Sequence, residues 1–103
     1  MKKLTLAGLK RLFKQSLIDA GCAEDWTLLE ASVKVGKDAK NHTGSKNTLG
    51  YFATEGSKIG NRYWADDTRP YWAWYEKLSD ALKAEYGVYL ESINSCEIAL
   101  FRA

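Results

Sequence analysis

His42 is the only histidine in this chain of 103 residues, so a serine or cysteine hydrolase built from it has a single candidate base. The surrounding segment, Gly36 to Asn47, is full of turn formers and has no apolar period. It reads as a long exposed loop, a poor frame for a group that must be held in place to move a proton. No serine stands in the Gly-x-Ser-x-Gly pattern of a nucleophile elbow. Gly44-Ser45-Lys46 has the residue types of a phosphate-binding loop, but in the wrong order and without the earlier glycine. A zinc site needs three or four His, Cys or acidic ligands at short spacing, and Cys22 and Cys96 each stand alone. Asp66-Asp67 offers two carboxylates to a metal, but just ahead of Pro70 the pair reads first as a helix cap. One enzyme design survives: a metal-free hydrolase or nuclease with His42 as base, Glu55 as acid and Arg62 as phosphate clamp. The residues point away from catalysis, and they imply neither a metal nor a cofactor.

Binding chemistry is better represented. The stretch from Arg62 to Glu76 holds three of the four tryptophans (Trp64, Trp72, Trp74) and three of the six tyrosines (Tyr63, Tyr71, Tyr75). Aromatics carry the largest burial per residue, so this stretch is expected to nucleate the core. On a helical wheel Tyr71, Trp74, Tyr75, Leu78, Ala81 and Leu82 form one stripe, continued by Tyr86. Trp72 falls about 100° from Tyr71, on a polar flank with Glu76, Ser79 and Lys83. Tryptophan on a polar flank is a candidate anchor for a protein partner. Trp72, Glu76, Asp80 and Lys83 are therefore the expected protein-binding residues, with Glu85 extending an acidic surface that suits a basic partner.

A second set of residues fits nucleic acid. Net charge is only +2, but its distribution is uneven. Residues 1–16 carry Lys2, Lys3, Lys10, Arg11 and Lys14 and no acid, and the central segment is again cationic. Lys10, Arg11 and Lys14 make a basic ridge on the first helix. Lys37, Lys40, His42 and Lys46 decorate the central loop. Together they are the expected phosphate-contacting residues if the partner is a nucleic acid. A dedicated binder of nucleic acid carries a much stronger basic balance.

These residues need elements to position them. Thr5 is an N-cap type, Gly21 a C-terminal stop, and Leu6, Leu9, Phe13, Leu17 and Ala20 share a face, so a first helix is expected to about Ala20. Trp26 to Val35 alternates and reads as a strand, although Glu24 to Ala31 fits a helical turn equally well. Thr48–Glu55 and Arg62–Ala65 read as strands of a hairpin closed by Gly56 to Asn61. A second helix follows Asp66-Asp67-Thr68 and stops at Gly87. Val88–Ile93 and Cys96–Arg102 then close the chain as a strand pair around Asn94-Ser95. The expected fold is α+β, an antiparallel sheet of about four to five strands with two helices on one face, in the order α-β-β-β-α-β-β. Its first five elements occur in the same order in double-stranded-RNA-binding domains. Those modules start their second helix with lysines, where this chain has Asp66-Asp67-Thr68-Arg69-Pro70, and topology alone assigns no family.

Length and composition set the remaining bounds. At 103 residues the chain is expected to be one domain, and 46% hydrophobic residues with one proline is a folded composition. No apolar run approaches the roughly 18 residues of a membrane span, and Lys10, Arg11 and Lys14 break any signal-like stretch. A cytoplasmic location with two free thiols is expected. The leading expectation is a small non-enzymatic module that occupies the surface of a protein partner, as an inhibitor or adaptor. In size and style this is the profile of small inhibitors of phage and mobile-element type, such as anti-CRISPR and anti-restriction proteins.

Overall fold

A computed structural model describes residues 2–103. Helix α1 (Leu6–Asp19) starts where the Thr5 hydroxyl accepts the Gly8 amide at 3.0 Å. Its spacing buries Leu9, Phe13 and Leu17, while Leu6, one turn earlier, remains exposed. Helix α5 (Arg69–Tyr86) has Pro70 in its first turn and buries Tyr71, Trp74, Leu78 and Leu82. Gly87 ends α5 with φ +66°, a left-handed conformation that favours glycine, and its amide closes on the Lys83 carbonyl at 3.0 Å. Strands β3 (Val88–Asn94) and β4 (Glu97–Arg102) then pair antiparallel, Leu90 opposite Leu100.

The sheet has four antiparallel strands in the order β1-β2-β4-β3, with β1 at Lys34–Val35 and β2 at Gly50–Ala53. Cross-strand pairs put Phe52, Ile98, Leu100 and Leu90 in one core with α1 and α5. Phe13 of α1 stacks on Phe52 of β2 at 4.1 Å, and Trp74 of α5 lies 6.2 Å from both rings. The Trp74 indole N–H donates to the Ser16 hydroxyl at 3.0 Å, and that hydroxyl donates to the Phe13 carbonyl at 2.6 Å. The polar atom of the largest buried side chain is thereby satisfied. Cys22 is buried and Cys96 half-buried, and both are free thiols. An α+β fold on an antiparallel sheet is what the sequence predicts.

Three local readings are corrected. Trp26–Val35 is not one strand: it divides into α2 (Asp25–Leu29), a 3₁₀ turn (Glu30–Ser32) and the two residues of β1. The helical alternative for Glu24–Ala31 is the one realised. The Ser32 hydroxyl ends the turn, donating to the Leu29 carbonyl and accepting the Ala53 amide from β2. Gly36–Asn47 is not a loop throughout, because Gly36–Thr43 forms helix α3. Its one buried side chain is Ala39, and polar ties hold it: Lys40 Nζ to the Thr48 carbonyl at 3.0 Å, and Thr43 to the Thr48 hydroxyl at 2.9 Å.

Of the hairpin expected over Thr48–Ala65, the first strand forms as β2, but the Gly56–Asn61 connection and the Arg62–Ala65 strand are replaced by helix α4 (Lys58–Tyr63). Both carboxylate oxygens of Asp25, 33 and 34 residues away, accept its first amides, Lys58 and Ile59, at 2.9 Å each. The Ser57 hydroxyl accepts the Gly60 amide. Gly60 is required by packing rather than by a turn, since a Cβ there would lie 2.1 Å from the Thr54 carbonyl oxygen. Two helices, α3 and α4, thus stand where turn-like composition predicts loops.

Candidate functional site

Helix α4 delivers Tyr63 and Trp64 to the first turn of α5. Tyr63 lies 5.5 Å from Trp64, 5.1 Å from Tyr71 and 6.1 Å from Trp72, and Trp72 lies 5.5 Å from Tyr75. The buried Tyr71 carries the chain of rings inward to Trp74 at 5.4 Å. At the surface, Trp64 is 73% exposed and Trp72 46% exposed. Two indoles of one aromatic group therefore face solvent, braced from beneath by rings that belong to the core. Burial raises the Tyr75 hydroxyl above the usual tyrosine range and pushes Tyr71 up to about 12. Both stay neutral near pH 7, as an apolar contact surface needs.

Trp72 and Glu76 occupy adjacent turns of α5, and Glu76 and Asp80 are both exposed with no ion-pair partner among the described residues. Lys83 is on the same helical flank but about 16 Å further along the axis. It stands beside Tyr86 and Lys40, at a cavity near the C-terminal end of α5. Glu85 is engaged with Arg11 and Lys2, and the Arg11 guanidinium holds its carboxyl below the usual range. The acidic surface near Trp72 consequently consists of Glu76 and Asp80.

The residues expected to contact nucleic acid are not assembled into one surface. Lys10 pairs with Glu30 at 3.7 Å and Arg11 with Glu85, so two of the three ridge cations face acids. Lys14, Lys37 and Lys46 are exposed, and Lys40 is drawn onto the Thr48 carbonyl. His42 turns to the opposite face of the sheet, its ring 4.2 Å from Tyr51 and its Nε2 3.5 Å from a Glu97 oxygen that also accepts the Tyr51 hydroxyl. That hydroxyl, together with the Asn94 amide, holds the Glu97 carboxyl below its ordinary range. The base, acid and clamp of the nuclease reading are likewise dispersed in their bonding. Arg62 donates to the Ala20 carbonyl at 2.6 Å, Glu55 is exposed, and His42 faces Glu97. Among the described residues no three His, Cys, Asp or Glu side chains gather to hold a metal.

Tyr63 and Trp64 are members of the aromatic surface that the sequence assigns to the core with the rest of the Arg62–Glu76 stretch, and the 73% exposure of Trp64 corrects that expectation. The available signal was the Ser57 cap three residues before Gly60, which marks a helix start. Comparisons with protein-family models, curated proteins and solved structures yield no match to this chain. No helix among the described residues is long and apolar enough to cross a membrane.

Proposed function

We propose that this chain is a non-enzymatic binding module that docks a protein partner through Tyr63, Trp64, Trp72 and Tyr75, acting as an inhibitor or adaptor in the cytoplasm. The observation that carries this reading is the exposure of Trp64 and Trp72 on a support continuous with the core. Leaving two indoles in water forfeits apolar burial of about 1.5–3 kcal/mol for a large side chain, which a partner's surface can recover. Rigid support lowers the ordering cost of binding, and tryptophan dominates interface hot spots for this reason. Glu76 and Asp80 beside the indoles favour a partner with apolar pockets rimmed by lysine or arginine.

The test is affinity capture with the folded chain as bait, after nuclease treatment of the extract, run in parallel with a Trp64→Ala/Trp72→Ala bait. Proteins retained by the wild type and lost by the variant support the reading. Retention that disappears with nuclease transfers the surface to a nucleic acid, and retention equal on both baits removes the aromatic surface from consideration.

A further inference from the structure

A cavity of about 650 Å³ opens at the other end of α5, away from the tryptophans. Five cationic side chains line it, Lys2, Lys3, Lys40, Lys83 and Arg102, and no acidic side chain does. They come from four separate parts of the chain: the segment before α1, helix α3, the last turns of α5 and the end of β4. Glu85, outside the lining and shared with Arg11, lies 3.5 Å from Lys2. Lys40 is fixed by its 3.0 Å bond to the Thr48 carbonyl, which leaves two ammonium hydrogens for another acceptor. The floor is different in kind: Leu4, Leu49, Tyr86 and Val88. Gly36, first residue of α3, also reaches the wall, its amide donating to the Leu49 carbonyl at 3.0 Å. Like charges around one opening repel, and an anion bound between them relieves that repulsion.

We propose that this cavity is a binding site for a small phosphorylated molecule with an apolar body, the phosphate held by Lys40, Lys83 and Arg102 and the body resting on Leu4, Leu49 and Val88. The volume falls in the range of small-ligand pockets, and an apolar floor with a few convergent polar groups is their usual construction. Lysine and arginine are the side chains that proteins use against phosphate. The site is separate from the aromatic surface, and it gives Lys83 a role apart from that surface.

The test is calorimetric titration of the intact chain with phenyl phosphate, inorganic phosphate, benzyl alcohol and a single-stranded oligonucleotide. Phenyl phosphate should bind saturably and more tightly than inorganic phosphate, and benzyl alcohol should not bind. Lys83→Gln and Arg102→Gln, exposed positions with little bearing on folding, should each weaken phenyl phosphate roughly tenfold. Lys77→Gln, exposed and outside the cavity, should change nothing. The proposal is overturned if phenyl phosphate fails to bind, or if it binds the variants unchanged. Equal binding of inorganic phosphate removes the apolar half of the site. An oligonucleotide that displaces phenyl phosphate, and is weakened by the same substitutions, assigns the charge to nucleic acid instead.

Discussion

The ring of Trp72 lies 6.1 Å from that of Tyr63, so a surface residue of α5 is braced by a helix that ends six residues before α5 begins. Through Tyr63 the exposed indoles share the fate of α4, and α4 in turn hangs on Asp25. The candidate surface is thus a tertiary product, not a property of one amphipathic helix.

Trp74→Ala should be severely destabilising. The side chain is 2% exposed, contacts Phe13 and Phe52, and occupies the Ser16 hydroxyl. Truncation of a large core aromatic costs about 3–5 kcal/mol, a large share of the 5–15 kcal/mol of a typical domain. Urea unfolding measures this directly, and a midpoint close to wild type would show that α1 and α5 do not share a core.

Gly60→Ala separates the observed helix from the hairpin suggested by composition. In an open helix alanine stabilises relative to glycine by roughly 1 kcal/mol. Here the new methyl meets the Thr54 backbone carbonyl, and overpacking of this kind costs about 1–3 kcal/mol. A lower thermal midpoint is expected; a rise would place residue 60 away from Thr54.

How much of this was legible follows from where each contact partner lies. Helices α1 and α5 and the pair β3–β4 announce themselves because their apolar periods are long and their stops are local. Gly87 is one such stop. Helices α3 and α4 do not, because neither carries an apolar period and the groups that hold them are polar. The Asp25 carboxylate that caps α4 is 33 residues distant from Lys58. The Lys40 and Thr43 ties to Thr48 leave no apolar stripe in α3. The same reasoning divides the candidate surface. Trp72 stands out on the wheel of a long helix, whereas Trp64 follows a six-residue helix too short to show a period.

Thr54 is fully buried and its hydroxyl has no hydrogen-bond partner. Valine has nearly the same shape and no polar atom to leave unsatisfied, so Thr54→Val should be neutral or stabilise by up to about 1 kcal/mol. A loss beyond about 1 kcal/mol in denaturant titration would reveal a partner for that hydroxyl.

Alkaline pH should weaken the fold through its tyrosines. Burial pushes Tyr71 up to about 12 and also raises Tyr51 and Tyr75, whereas tyrosine in the unfolded chain ionises near 10. The folded state holds protons that the unfolded chain releases. Stability from these groups is complete below about pH 10 and is lost as pH climbs from there toward 12. The melting temperature should fall over that window as tyrosinate absorbance rises, and Tyr71→Phe should reduce the slope. A melting temperature flat across the window would contradict the burial of Tyr71.

The proposed docking of a protein partner on Trp64 and Trp72 is tested best at Trp64, the more exposed of the two. Trp64→Ala should leave stability within about 0.5 kcal/mol, as at an ordinary surface position. Trp72→Ala should cost about 1 kcal/mol, since its ring packs beside Tyr63, Tyr71 and Tyr75. Against a partner isolated by nuclease-treated capture, the decisive measurement is the dissociation constant of Trp64→Ala relative to wild type. A loss of affinity of about 2 kcal/mol or more, roughly 30-fold, is expected with an unchanged melting temperature. Unchanged affinity in the folded variant would contradict it.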